Sequence, residues 1–186
     1  MKSNTSNTIL IAFISFMSCK SAKPDLNTVT VGPLSISANK EWRYANENGI
    51  DSEVKLLVLN NKDTLTLEYG KHVNALNEDL PSIMSLQDKR QFDSLAGRDV
   101  EIDNLIISDM AEDEMKYGLF LNNYYMYDTI NGIQVKVVQP KKVKKGITGI
   151  YIAKLKDGNS FVAYGINLDS IAQKEAMKIF ESITYN

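Results

Sequence analysis

The sequence predicts an α+β domain in which helices cover a largely antiparallel sheet. Most predicted strands come in neighbouring pairs joined by short polar turns, which is typical of antiparallel hairpins. The clearest pair consists of residues 124–130 and 133–138. Between them, Asn131 and Gly132 can supply the positive φ angles that a two-residue hairpin turn requires. Residues 170–183 repeat apolar side chains at helical spacing, which predicts a closing helix whose apolar face packs on the sheet.

The first half of the domain predicts strands and one helix. Apolar and polar residues alternate, or apolar residues run on, in four segments: 29–37, 41–44, 53–59 and 65–69. The last two segments flank an Asn-Asn-Lys-Asp turn and form a second predicted hairpin. Gly49 is predicted to turn the chain with a positive φ. Pro81 favours a helix that begins at residue 82 and runs to residue 95.

The second half predicts a strand around residues 100–107, where apolar residues alternate with acids, and then an acidic loop over 108–115. Residues 147–155 and 160–168 predict two further strands, which extend the hairpin into a run of antiparallel strands. Ser170 and Gln173 have the spacing of a capping box, so the closing helix is predicted to begin at Ser170.

The first residues predict an export signal. Lys2 precedes an apolar run, residues 9–19, which ends in Ser18 and the only cysteine, Cys19. A run of this length is too short to cross a bilayer as a helix, which needs about 20 apolar residues, and its layout is that of a secretory signal peptide. Three segments are predicted: a signal peptide (1–18), a lipidated tether (19–28) and a single α+β domain (29–186).

The end of the signal resembles the bacterial lipobox, in which a peptidase cuts before a cysteine that then receives lipid, including palmitate. The match depends on Phe16, Met17 and Ser18, of which Ser18 fits best. The resemblance implies lipidation of Cys19 and a membrane partner through the anchor. The alternative is an ordinary signal peptide with an incidental cysteine. Lipidation accounts for a lone cysteine in an oxidising compartment, where it cannot form an internal disulfide.

Composition limits the function classes. The chain has 186 residues, 21 Lys and Arg, 23 Asp and Glu, and a formal net charge of −2. This balance lacks the basic signature of nucleic-acid binding, so no nucleic-acid partner is predicted. No phosphate-cradling loop or other cofactor motif occurs, so no cofactor is predicted.

Several turn and strand motifs resemble a known group of proteins. They are residues 49–52 (Gly-Ile-Asp-Ser), the Asn131-Gly132 hairpin with residues 136–138 (Lys-Val-Val), and residues 140–142 (Pro-Lys-Lys) leading to 149–151 (Gly-Ile-Tyr). These motifs resemble small, uncharacterised envelope lipoproteins of Gram-negative bacteria, and the order of elements is similar to the Mog1/PsbP-like fold that includes the DcrB lipoproteins. The resemblance implies an accessory or binding protein and offers no catalytic residues to transfer.

A lysine cluster is the candidate binding site. Lys141, Lys142, Lys144 and Lys145 lie between two predicted strands in a slightly acidic domain. Such a patch would suit an anionic lipid headgroup or a lipopolysaccharide phosphate. The alternative is a solvated loop that keeps this end of the sheet soluble. Aromatic residues on the hairpin, Tyr124, Tyr125 and Tyr127, could line a pocket or interface, although such residues on strands are more often core or cross-strand pairs.

Catalysis has weaker candidates. The acids between residues 99 and 114 could converge on a cation, but the spacing and glycine of a calcium loop are missing, so no metal site is predicted. His72, the only histidine, has no nucleophile elbow to serve. No catalytic residue and no enzyme activity are predicted.

Together these observations predict a lipoprotein of the cell envelope, anchored to the inner or outer membrane, that acts as a non-enzymatic binding or accessory module. Its predicted partners are the membrane and either an envelope protein or anionic lipid. Two alternatives stay open: an envelope hydrolase that uses the carboxylates of residues 99–114, and an inhibitor of a toxin or lytic enzyme.

Overall fold

The structure is a computed structural model that describes residues 26–186. The predicted signal peptide, Cys19 and the tether up to residue 25 lie outside the described residues. The first strand begins at Leu26, so the last three residues assigned to the tether from sequence belong to the folded domain.

The described chain contains twelve strands and three helices. The strands are β1 Leu26–Val31, β2 Leu34–Asn39, β3 Arg43–Asn48, β4 Ser52–Val58, β5 Thr64–Gly70, β6 Ser82–Met84, β7 Leu105–Ile107, β8 Asn123–Ile130, β9 Ile133–Pro140, β10 Ile147–Ile152, β11 Ser160–Ile166 and β12 Thr184–Tyr185. The helices are α1 Leu86–Ala96, α2 Ala111–Tyr117 and α3 Ser170–Glu181.

A seven-stranded antiparallel sheet forms the centre of the fold, in the order β3-β4-β5-β11-β10-β9-β8. A smaller antiparallel sheet, β1-β2-β12, joins the two ends of the described chain. A short parallel pair, β6-β7, lies apart from both. The prediction of an α+β protein built mostly from antiparallel strands is therefore confirmed.

The main core lies between one face of the seven-stranded sheet, α3 and the smaller sheet. From α3 it takes Ala172, Ala176, Ile179 and Phe180, as the helical spacing predicts. The N-cap of α3 is Asp169, one residue before the predicted start of the helix. Its carboxylate accepts hydrogen bonds from two first-turn amides. By contrast, α1 buries none of its residues, so the expectation that the helices as a group cover the sheet does not hold.

Local turn chemistry gave the correct hairpins. Asn131 and Gly132 have φ angles of 48° and 81°, and β8 and β9 pair without interruption from the turn to Pro140. The β4-β5 hairpin and the run from β8 to β11 are also as predicted.

The region from Pro81 to Leu121 differs from the prediction. The predicted helix from residue 82 starts only at Leu86, because Ser85 caps it by accepting a hydrogen bond from the Asp88 amide at 3.1 Å. The three residues before the cap pair with β7 instead.

Three further local predictions are wrong. Residues 100–104 form no strand, and the acidic segment predicted as a loop contains α2, which ends where Gly118 adopts a φ of 60°. Gly49 does not have a positive φ. A side chain is excluded there for a different reason, since a Cβ at this position would lie 2.2 Å from the Ser52 Oγ.

Candidate functional site

The lysine loop, defined as residues 141–145 between β9 and β10, is a structured turn. The amide of Lys145 donates to the carbonyl of Lys142 at 3.1 Å, and the amide of Lys144 donates to the carbonyl of Leu168 at 3.1 Å. Lys144 adopts a φ of 61°, a conformation that costs a non-glycine residue energy. These bonds fix the direction in which the loop points.

The four predicted lysines do not share one environment. Lys142, Lys144 and Lys145 are exposed, and so is Val143 between them, at 55% of its surface. The ammonium of Lys141 instead donates to the carbonyl of Gly118 at 2.8 Å. The loop therefore presents three exposed cations around one apolar side chain, of which Lys144 interacts electrostatically with Asp169, while Lys141 holds the segment before β8 in place.

The described chain begins at the same end of the sheet as the lysine loop. Leu26 pairs with Asn39, whose carbonyl accepts a hydrogen bond from the Trp42 amide at 3.1 Å. The next residue, Arg43, pairs with Val58 at the end of β4. Leu26 consequently lies near the end of the sheet that carries the β4-β5 turn.

The β4-β5 turn contacts the segment that binds the lysine loop. The side-chain amide of Asn61 donates to the carboxylate of Asp169 at 3.3 Å. Asp169 follows Leu168, whose carbonyl accepts the Lys144 amide. We call this end, with Leu26, the β4-β5 turn and the lysine loop, the lysine end. Asp169, the acid at the lysine end, already accepts backbone hydrogen bonds from the first turn of α3. These bonds, chiefly the one from the Ala172 amide, hold the pKa of Asp169 below its ordinary value.

The opposite face of the seven-stranded sheet, away from α3, contains a second group of interest. We call it the outer face. Residues 71–80, the strap, cross it and cover Val138 and Val162 with the fully buried Leu76. The strap is irregular in secondary structure, so it depends on side-chain contacts to stay on the sheet.

One of these contacts is an unusual lysine. Lys136 of β9 is only 8% exposed, and its ammonium donates to the carbonyl of Ala75 and, at 2.8 Å, to the side-chain oxygen of Asn77. The Nζ also lies 5.2 Å and 5.7 Å from the ring centres of Tyr151 and Tyr125. Within residues 26–186 no carboxylate lies within 4.0 Å of this ammonium. Burial lowers the pKa of Lys136.

A groove of about 620 Å³ opens beside this lysine. Cross-strand pairing places Tyr127, Lys136 and Tyr151 in one row across β8, β9 and β10. Tyr127, at the rim, is 85% exposed. The groove is lined by Tyr127, Asp128, Thr129, Gln134, Val135, Lys136, Tyr151 and Ala153.

A carboxylate fastens the end of the strap. Glu78 accepts hydrogen bonds of 2.7–3.0 Å from the backbone and side-chain amides of Asn122 and Asn123 and from the Tyr125 hydroxyl. Burial by itself raises the pKa of Glu78, but these hydrogen bonds outweigh it and hold the pKa below its ordinary value. Burial, together with the bond to Glu78, raises the pKa of Tyr125 to about 12. At neutral pH this network joins a carboxylate to a neutral phenol.

The acids considered for a hydrolase are dispersed. Asp99 forms an ion pair with Lys89 at 2.7 Å, and its side chain is 89% exposed. The other acids up to Asp113 are exposed as well, and His72 is exposed on the strap. No cluster of histidine, cysteine, aspartate and glutamate suited to a metal ion occurs among residues 26–186.

The sequence pointed to the lysine loop and raised Tyr125 and Tyr127 as possible pocket residues, but it did not indicate that Lys136 is buried beside them. Lys136 lies between valines in an alternating strand, a pattern that predicts a solvent-facing lysine. The strap that buries it comes from a segment about 60 residues earlier with no periodic signal. A clue was available in the tyrosines of β8, whose spacing places Tyr125 and Tyr127 on the same face as Lys136.

Comparison with known proteins returned no family model, no curated protein and no solved structure that matches this chain. Within the part of the chain that the structure describes, no helix is both long and apolar enough to span a bilayer.

Proposed function

We propose that this chain is an envelope lipoprotein, anchored through Cys19, that acts as a non-enzymatic binding or accessory module with its lysine end turned toward the lipid surface. The observation that carries the proposal is that Leu26 and the lysine loop share one end of the sheet. The proposal includes the finer expectation of a Mog1/PsbP-like fold, which the packing of α3 on an antiparallel sheet supports.

The tether is short. Cys19 precedes Leu26 by seven residues, and an extended chain of that length spans at most about 25 Å. An acyl anchor on Cys19 would therefore hold Leu26, which lies at the lysine end, within about 25 Å of the lipid surface. The anchor would bring this end of the domain near the interface without any further targeting signal.

Charge and apolar surface at the lysine end suit that position. Each lysine close to an anionic leaflet contributes about 1 kcal/mol, so the three exposed lysines together would strengthen binding by about 100-fold. Val143 at the tip, with Ile166 and Ile171 exposed near the ends of β11 and α3, adds apolar surface of the kind that interfacial segments bury.

The anchor is tested by Cys19→Ala. The unmodified protein is expected in the membrane fraction, because two or three acyl chains hold a protein on a bilayer almost permanently. The Cys19→Ala variant is expected in the soluble fraction. Retention of the variant on membranes that have been washed with high salt would contradict lipidation as the anchor.

The orientation is tested with residues 20–186, which lack the apolar run. This fragment is expected to bind vesicles that contain phosphatidylglycerol and to ignore pure phosphatidylcholine. Replacing the four loop lysines, Lys141, Lys142, Lys144 and Lys145, by glutamine should abolish binding, as should raising the salt concentration.

A matched control changes four exposed lysines elsewhere to glutamine: Lys71, Lys154, Lys174 and Lys178. It removes the same charge and is expected to keep most of the binding. Equal loss in both variants would show that only net charge matters and that the lysine end has no special orientation.

A further inference from the structure

We propose that the free edge of β8 and the adjacent groove bind an extended segment of a partner polypeptide, which adds antiparallel to β8 and places an acidic side chain over Lys136. This inference rests on the proposed function, because it names the kind of partner that the binding module takes and the surface that takes it.

The first observation is the edge itself. β8 ends the seven-stranded sheet and has one neighbouring strand, β9, within the described chain. Its pairing with β9 is regular over all eight residues, from Asn123 to Ile130, without a bulge. Two of its outward amides are already engaged, because the Asn123 amide donates to Glu78 and the Thr129 amide donates to the Asp128 carboxylate at 2.7 Å. The outward backbone groups between these two residues are a template for another strand.

This edge also lacks the usual protection. Natural edge strands are commonly shielded by lysine, proline, bulges or short length. β8 has neither lysine nor proline and one charged residue, Asp128. The opposite edge, β3, is shorter and has two charged residues, Arg43 and Glu47. The two edges therefore differ, and only β8 combines length, regularity and low charge.

The second observation is the groove that adjoins this edge. On an added strand, the residue opposite Tyr127 would continue the row formed by Tyr127, Lys136 and Tyr151. Its side chain would point to the outer face, into a groove of about 620 Å³. Recognition by strand addition uses this division, with backbone bonds for affinity and pockets for alternate side chains.

The third observation selects the chemistry of that side chain. Lys136 is a nine-tenths buried cation whose described partners are a carbonyl, an amide oxygen and two aromatic rings. A buried cation without an anion is the arrangement that an incoming carboxylate completes. The added strand lies two strand spacings from β9, about 10 Å. Ala75 and Asn77 hold two of the three ammonium donors of Lys136, so the incoming carboxylate takes the third.

A second copy of the chain fits less well than a different polypeptide. Antiparallel pairing of two β8 strands would point the two lysine ends in opposite directions. Both copies would then be unable to turn that end toward one membrane over a tether of about 25 Å. A free segment of another polypeptide has no such constraint.

The probe is the peptide acetyl-Ile-Gln-Val-Glu-Val-Val-Gln-amide, labelled with fluorescein. It copies residues 133–139, which already pair antiparallel with β8, and has glutamate in place of Lys136. Binding is measured by fluorescence anisotropy to the full chain in a neutral detergent. A scrambled peptide of the same composition is the control and is expected not to bind.

Strand addition is tested by methylation of the peptide backbone. Alternate residues of a strand direct their N–H groups to opposite sides. N-methylation of the peptide residues whose N–H groups face β8 should abolish binding. N-methylation of the residues whose N–H groups face away from β8 should leave binding nearly unchanged. Equal effects of the two sets, or no binding of the unmethylated peptide, would overturn the proposal.

The role of Lys136 is tested by a double-mutant cycle. The glutamate peptide should bind about tenfold more tightly than the same peptide with glutamine. In Lys136→Met the two peptides should bind equally, which a merely structural role of this lysine would not produce. If the preference for glutamate persists in Lys136→Met, the acid is recognised elsewhere and the proposal fails.

Tyr127→Ala provides an independent test in case the Lys136→Met variant does not fold. Tyr127 is 85% exposed, so its truncation should leave folding intact and weaken both peptides. Unchanged affinity would overturn the assignment of the groove.

A stable dimer of the full chain in sedimentation, displaced by the peptide, would assign the edge to a second copy instead. The Cys19→Ala chain should bind the peptide as the unmodified chain does, so failure of the anchor and failure of this inference are separable.

Discussion

Glu78 provides the sharpest test of how the strap is held on the sheet. Its carboxylate accepts five hydrogen bonds from three residues, Asn122, Asn123 and Tyr125. In Glu78→Ala these donors lose their acceptor. Asn123 is 2% exposed, so its amides cannot turn to water, and an unsatisfied buried donor costs about 1–3 kcal/mol.

The expected loss is smaller than five separate bonds would suggest. The Asn122 groups are exposed and can bond to water after the substitution. Counting the Asn123 amides and the Tyr125 hydroxyl, we expect the free energy of unfolding to fall by about 2–4 kcal/mol. For a domain of this size that corresponds to a decrease in Tm of about 4–16 °C, which circular dichroism resolves readily.

Asp79→Ala is the matched control, because it removes a neighbouring exposed carboxylate and should change the stability by less than about 0.5 kcal/mol. A Tm of Glu78→Ala within 2 °C of the control would refute the idea that this carboxylate fastens the strap. Selective loss of hydrogen-exchange protection at Leu76, in advance of global unfolding, would support it.

Two further predictions concern pH and backbone conformation. The pKa of Glu78 is lowered in the folded state from its ordinary value of about 4.5, so its contribution is full above that value and is lost as the pH falls through the folded pKa. The stability difference between the unmodified chain and Glu78→Gln should therefore shrink as the pH falls below about 4.5 in denaturant titrations. Gly132→Val should cost about 1–2 kcal/mol, because Gly132 has a φ of 81° with no atom within 4 Å of an added Cβ. Gly32→Ala should cost more, about 3 kcal/mol, because the added Cβ would also lie 2.5 Å from the Tyr69 ring. An equal Tm for the two glycine variants would contradict this reasoning.

The parts of the fold that the sequence predicted are those in which one dipeptide or one face decides the structure. Asn131 and Gly132 define a turn whatever surrounds them, and the register of β8 and β9 follows from it. The buried face of α3 repeats over three turns, so a single ambiguous residue cannot shift it.

The region after Pro81 failed because weak local signals compete there. A proline favours the first turn of a helix, but Ser85 is the better cap, and the three residues between them are held by a partner strand about 20 residues later. α1 buries no residue, so its loose apolar spacing was no guide to a core.

The candidate site shows a similar division. Exposure of Lys142, Lys144 and Lys145 follows from their place in a polar loop, and the sequence predicted it. The direction of that loop relative to Leu26 depends on the register of several strand pairs, and the burial of Lys136 depends on an irregular strap. Both are long-range facts that no local pattern encodes.

The hydrogen bonds of Glu78 also bring two distant points of the chain together. Glu78 contacts Asn122 at 2.7 Å, and Leu80 and Leu121 line one small crevice. Residues 81–121 thus leave the sheet and return to it at one place, where the two ends of the segment lie side by side. The entropy lost on closing a loop grows only with the logarithm of the loop length. Replacing residues 81–121 by a turn of a few residues, or by a foreign domain, would therefore change the closure entropy only slightly. This position is where evolution, or an engineer, can change the size of the protein without altering the sheet.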